Sequence, residues 1–297
     1  MMNFLRRYLD ELVTGSFLVF VFALVPFFPP EFATPGGRAL AVWVLRIFFS
    51  LLALLVVAAR FNSLARRLLG LVLEVLPILV AVLGYVALKL MHAAAITAWL
   101  GLSAKDHAMM AADILLFGQT PFLWLAHWGL DTRLFLQVMS CFYGLYPFTP
   151  ILAVLWFLCK GDTAQLRLVR RAMILSLFAG YCCYLLIPVS GPLSVFTPAS
   201  PIFIQSTLTY TFLMGNFRYV YDCFPSLHTA NPWLIVWLCR GKFPRWLLAA
   251  SILVCCGITF STIALRMHYG IDDIAGLAWA ALIAGLASKT LPRAAVQ

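Results

Sequence analysis

Two histidines and an aspartate carry the chemistry legible in this chain: His228 in the string FPSLHTA, and His268 and Asp272 in RMHYGIDD. Taken singly, each imidazole reads as an ordinary structural residue. Between them, however, the chain runs through one apolar stretch, turns at the basic residues 240–245 and returns through another. Antiparallel neighbours joined by so short a turn bring both imidazoles to the same level. Asp272 follows His268 by four residues, so in a helical turn its carboxylate reaches the ring. A carboxylate that accepts the hydrogen bond of one ring nitrogen leaves the other with its lone pair, the state a nucleophilic histidine needs. Asp273 points elsewhere on a helix and is expected to cap the span that follows, because carboxylates are favoured near helix N-termini.

Pro225-Ser226-Leu227-His228 reads as a helix start with Ser226 as N-cap. Free amides at such a start favour anions, and a phosphate held there has His228 beside it as general acid. Phosphate also calls for positive charge, and Arg266 and Arg218 are two of the few cations on that side of the chain. Lys89, near the outer end of a span, is a third candidate, with snorkelling to the interface as its competing reading. No outward cluster of carboxylates suits Mg²⁺ and no Cys/His spacing suits zinc, so neither metal nor cofactor is expected.

The elements that position these residues are membrane spans. Of 297 residues, 63% are hydrophobic and 11% charged, against about 25% charged in soluble domains. The apolar residues come in blocks near the roughly 20 residues a helix needs to cross the hydrocarbon. Spans are expected near Leu12–Phe28, Ala39–Ala59, Leu68–Met91, Leu134–Leu158, Arg171–Pro188, Ser226–Leu238, Trp246–Leu265 and Ile271–Leu291. The first run is long for a signal peptide and lacks a cleavage site, so it is read as retained. Residues 92–133 differ: Trp99, Trp124 and Trp128 mix with Lys105, Asp106, His107 and Asp113, and Gly118 and Pro121 break the apolar runs. This is the pattern of a surface-lying amphipathic segment.

A net charge of +10 could suggest nucleic acid, yet the Lys and Arg sit singly or in pairs between apolar blocks, with no basic stripe. They orient the chain instead. Fourteen of the 21 fall on one side of the expected spans and five on the other, with Arg46 and Lys89 inside spans. The positive-inside rule then places both termini in the cytoplasm and the two histidines outside. The eight cysteines include two adjacent pairs inside apolar blocks and imply no disulfide framework.

FPSLH, followed forty residues later by a histidine, three residues and an aspartate, resembles the type 2 phosphatidic acid phosphatase superfamily. Its second and third motifs carry Pro-Ser-x-His and Ser-Arg-x5-His-x3-Asp. The resemblance implies His268 as nucleophile, Asp272 as its assistant and His228 as acid. Thr262 stands after Ser261 where that family has arginine, and the usual first motif is absent. In both departures, and in ILLFGQTPFLWL, YLLIPVSGPL and STIALRMHYGIDDIAG, the chain resembles the inositolphosphotransferase-like branch, which includes inositol phosphorylceramide synthases. The stretch covered runs from about Asp113 to Gly276. With Arg266, Arg218, Ser226 and Lys89, the motif residues Thr262 and Gly191 complete the set expected at the phosphate.

What the resemblance implies is an all-α polytopic bundle: a six-helix catalytic domain over residues 68–297, interfacial segment 92–133 included, preceded by a two-span addition over residues 1–67. The expected activity is metal-free transfer of a phosphoryl or phospho-alcohol group, such as inositol phosphate, from a lipid donor to a lipid or polyol acceptor through a phosphohistidine. A lipid phosphatase, with water as acceptor, is the alternative of the same class. A transporter, for which the intramembrane Glu74 and Arg46 would mark a pathway, is the alternative of another class. Ala, Leu and Arg usage points to a bacterial inner membrane, with the site periplasmic; a Golgi-type membrane is the eukaryotic counterpart.

Overall fold

The computed structural model describes residues 60–90, 93–196 and 219–290, together with scattered positions before residue 60, Asp10 among them. The regular elements among the described residues are all helical. In chain order they are α1 (Ser63–Leu90), α2 (Ala93–Trp99), α3 (Asp106–Phe117), α4 (Phe122–His127), α5 (Arg133–Gly144), α6 (Phe148–Lys160), α7 (Thr163–Leu186), α8 (Pro192–Val195), α9 (Leu227–Cys239), α10 (Arg245–Ala264) and α11 (Gly270–Thr290). The expected spans Leu12–Phe28 and Ala39–Ala59 lie outside the described residues.

Among the described residues α7, α10 and α11 are each long and apolar enough to cross a bilayer, and α5 with α6 passes the same test as a pair bent by 42°. Pro147 stands at the bend and Pro150 just beyond it; proline has no amide hydrogen to continue the helical ladder. Helix α9 has 13 residues, about 20 Å of rise, less than the roughly 30 Å of hydrocarbon. The loop before it and the turn after it therefore lie within the depth its two long neighbours cover. The expected interfacial segment resolves into the short helices α2, α3 and α4, with Trp99 and Trp128 exposed.

The largest shift of a boundary is at the start of α7. The span read as starting at Arg171 begins at Thr163, where the Asp162 carboxylate caps the helix by accepting from the Gln165 amide at 3.0 Å. Arg167, Arg170 and Arg171 look like a break in the sequence because charge does not belong in hydrocarbon. Here they are met by acid. Arg170 and Arg171 both pair with Asp10 at 2.7 Å, and Arg167 and Arg170 pair with Glu74.

Helix α7 is the axis of the bundle, packed against α1, α6, α9 and α11. Its Val169, Ala172, Met173, Leu177, Tyr181 and Tyr184 form the centre of the main core. Between helices in lipid, apolar burial alone discriminates poorly, so close packing and polar ties set the arrangement. The ties are present: Tyr181 donates to the Ala81 carbonyl at 2.9 Å and Gln165 to the Leu238 carbonyl at 2.8 Å. A second core joins α4 and α5 to the end of α10 through Leu125, Leu136, Met139, Leu265 and Met267. A third and smaller one, around Val189, Cys223 and Tyr269, adjoins His268.

Candidate active site

Ser226 caps α9, its hydroxyl accepting from the Thr229 amide at 3.3 Å and its own amide donating to the Asp272 carbonyl at 3.1 Å. His228 thus stands in the first turn of α9, held between two aromatic rings: Tyr143 stacks on it with centroids 4.5 Å apart, and Tyr146 lies 4.3 Å away, tilted by 46°. The Tyr146 hydroxyl accepts from Asn231, and the Asn231 carbonyl oxygen accepts from Ser176 at 2.6 Å. A buried polar chain therefore fixes the ring that fixes the imidazole.

His268 stands between α10 and α11 and is buried. Its Nδ1 lies 2.9 Å from the Cys223 carbonyl. A carbonyl only accepts, so Nδ1 carries the hydrogen and Nε2 keeps the lone pair. That lone pair faces His228, whose Nδ1 is 3.3 Å away. The expected partner, Asp272, is 3.6 Å from Nδ1, beyond a normal hydrogen bond. Its Oδ2 is drawn instead to the Tyr269 amide at 2.9 Å, reaching back across the first turn of α11. Asp272 is wholly buried, and its Oδ1 has no hydrogen-bond partner. It lies against His268 while the backbone of Cys223 sets the tautomer.

Asp273, expected as the cap of α11, does something else. Its two oxygens accept from Thr229 of α9 at 2.6 Å and from Thr262 of α10 at 2.7 Å, so it ties three helices together. The capping falls to Asp272 and to Asp113 of α3, which accepts from the Gly270 and Ile271 amides at 3.1 and 2.8 Å. Burial holds the Asp113 carboxyl above its ordinary value, with those two amides pulling the other way.

The residues expected at the phosphate separate. Ser226 and Thr262 lie beside the histidines, with the Thr262 hydroxyl engaged by Asp273. Gly191 adopts φ +84°, a conformation glycine tolerates best, and its amide is donated to Asp106 at 2.9 Å. Arg266 has φ +59° and lays its guanidinium 4.7 Å over the Phe122 ring, in a cleft shared with Asp131. Burial draws it below its ordinary value, opposed by Asp131. Lys89 falls on the last turn of α1, its side chain outside the description, and Arg218 lies outside the described residues altogether. Among the described residues no group of three or more His, Cys, Asp or Glu is arranged to hold a metal ion.

Several contributors escaped the sequence reading. The Cys223 carbonyl is backbone, which any residue type supplies, so nothing in the sequence signals it. Tyr143 and Tyr146 are two aromatics among many in apolar helices. Asp106 and Asp113 did leave a signal, two carboxylates seven residues apart within an apolar run. A model of the PAP2 superfamily matches residues 107–286. No curated protein and no solved structure matches the chain.

Proposed function

The chain belongs to the PAP2 superfamily, a family of phosphatase-type enzymes, and from that premise we propose that it is an integral membrane lipid phosphotransferase working through a phosphohistidine on His268. The observation that carries the reading is the pairing of a lone-pair Nε2 on His268 with the Nδ1 of His228 at 3.3 Å. Nε2 attacks phosphorus as the rings part to admit the phosphoryl group. The bond from phosphorus to the leaving oxygen breaks, and His228, as imidazolium, gives that oxygen its Nδ1 proton. The phosphorylated His268 ring, still protonated at Nδ1, is cationic, and the Asp272 carboxylate 3.6 Å away offsets that charge. His228, now neutral, takes the proton of the acceptor hydroxyl. The acceptor oxygen attacks phosphorus, and the P–N bond returns its electrons to Nε2.

Arg266 is two residues from His268, and it joins the phosphate when its guanidinium swings off Phe122. The choice of an alcohol acceptor over water follows the resemblance of STIALRMHYGIDDIAG to the inositolphosphotransferase-like branch. A site that positions an alcohol and excludes water gains several kcal/mol of barrier, and we assign that role to α3 and α4, which lie against Gly270 and Arg266. Purified protein is incubated with a phospholipid donor, with and without ceramide, glycerolipid or inositol acceptors, and both products are followed. We expect acceptor-dependent transfer, slow hydrolysis in its absence, and loss of both in His268→Ala. Rapid release of phosphate unaffected by every acceptor would make the protein a lipid phosphatase; wild-type turnover in His268→Ala would reject the phosphohistidine.

A further inference from the structure

Helix α3 carries two acids, Asp106 and Asp113, seven residues apart and so on one face. Both are buried, Asp113 completely, whereas Leu115 on the opposite side is 85% exposed. Among the described residues neither carboxylate has a cationic partner. What meets them is backbone and one tyrosine hydroxyl.

Asp113 Oδ1 and Oδ2 accept from the Ile271 and Gly270 amides. Asp106 Oδ1 accepts from the Gly191 amide at 2.9 Å and the Tyr269 hydroxyl at 3.2 Å, and its Oδ2 accepts from the Ser190 amide at 3.1 Å. The Lys105 amide adds a bond to the Pro188 carbonyl at 2.8 Å. Gly270 is seated so closely on α3 that a Cβ there would come within 2.6 Å of the Phe117 ring. The three residues that follow His268 are thus each fixed to one helix, which also holds the 188–191 loop. That loop closes the circuit, since the Leu193 amide donates to the Arg266 carbonyl at 2.7 Å and the Cys223 amide to the Val189 carbonyl at 3.3 Å.

We propose that Asp106 and Asp113 are positioning residues, a pair of acidic struts by which α3 sets the backbone of residues 266–271 and hence the direction of the His268 ring. Hydrogen bonds from amides to an ionised carboxylate are shorter and stronger than neutral ones. Two of them converging on Asp113 hold a peptide plane in orientation as well as in place. The Cys223 carbonyl that fixes the His268 tautomer belongs to a segment tied into the same loop, so both the ring and its partner are referred to α3. An amide at position 113 breaks this arrangement, because its NH₂ group faces one of the two N–H donors. A longer acid keeps both acceptors.

This inference rests on the functional reading above, and its test separates the two. Full-length wild type, Asp113→Asn, Asp113→Glu and Asp106→Asn are compared in lipid nanodiscs by turnover of a phosphate ester and by amide hydrogen exchange. A loosened nucleophile is expected to lower kcat roughly 10- to 100-fold. KM should stay within about threefold, the pattern of a transition-state defect. Exchange at residues 266–271 should rise selectively in Asp113→Asn, and Asp113→Glu should recover much of both. Wild-type kcat in Asp113→Asn, or unchanged exchange at 266–271, overturns the proposal. So does a loss in which Asp113→Glu matches Asp113→Asn and melting falls in step, because the acids then only hold the fold together. Wild type with no turnover of any phosphate ester overturns the phosphotransfer reading instead, and exchange alone then decides whether the struts hold the loop.

Discussion

Asp272 and Asp273 are neighbours in sequence with different partners, and that difference makes them separable. Asp272 lies 3.6 Å from His268 and leaves one oxygen without a partner, whereas Asp273 spends both oxygens on threonines of α9 and α10. Asp272→Asn is therefore expected to lower kcat by about two orders of magnitude, with a modest change in melting, as loss of a group that acts mainly in the transition state does. Asp273→Asn is expected to retain more activity per folded molecule and to melt lower. Removing an acceptor from buried hydroxyls costs about 1–3 kcal/mol. Equal losses of kcat with equal melting would show that the two carboxylates share one role. At this scale the sequence was legible for side chains and silent on backbone. His228, His268 and Asp272 could be singled out by type and spacing, and they do come together. The His268 hydrogen bond that Asp272 was expected to accept is accepted by the Cys223 carbonyl, which no residue identity encodes. Arg266 was placed by its charge, but its positive φ and the Phe122 ring decide where that charge points.

The relation between helices determines the distance between the two imidazoles. Helix α11 meets the start of α9 at Gly276, where a Cβ would stand 2.5 Å from the Ser226 carbonyl oxygen and 3.3 Å from the Thr229 Cβ. The first of these is backbone and cannot rotate away. Gly276→Ala is expected to push the N-terminus of α9, and His228 with it, away from His268. Overpacking of this kind costs about 1–3 kcal/mol, and the displacement should lower kcat about tenfold or more. Activity and melting temperature of the purified variant check this; an alanine variant indistinguishable from wild type would mean that α9 slides freely on α11. Hydropathy located α9, α10 and α11 to within a residue or two, because each is a single apolar run bounded by polar turns. It misplaced the start of α7, where ion pairing hides the arginines. It also merged α5 and α6, whose bend follows from prolines inside a continuous apolar run.

Over the whole molecule, the histidines gather at one end of the bundle and the basic turn after α9 at the other, since α9 and α10 run antiparallel between them. From the charge asymmetry of the sequence we propose that the histidine end lies at the non-cytoplasmic face. In a background with the exposed Cys141, Cys159, Cys182 and Cys256 replaced by serine, Ser194→Cys should react with an impermeant maleimide in intact cells. Gly241→Cys should react only after permeabilisation. The reverse pattern would invert the orientation and move the site to the cytoplasm.

The cluster of Asp10, Glu74, Arg170 and Arg171 has a consequence for how the protein is made. Asp10 precedes Arg170 by 160 positions, and ribosomes add about 5–20 residues per second. The acids on the first segments therefore emerge on the order of ten seconds before the bases that neutralise them. Until then each is a charge without a counterpart, and breaking a buried pair of this kind by removing one partner costs about 3–5 kcal/mol. The final packing of Asp10 and Glu74 is therefore expected only once α7 has been inserted, which makes the arginines the timing element of assembly.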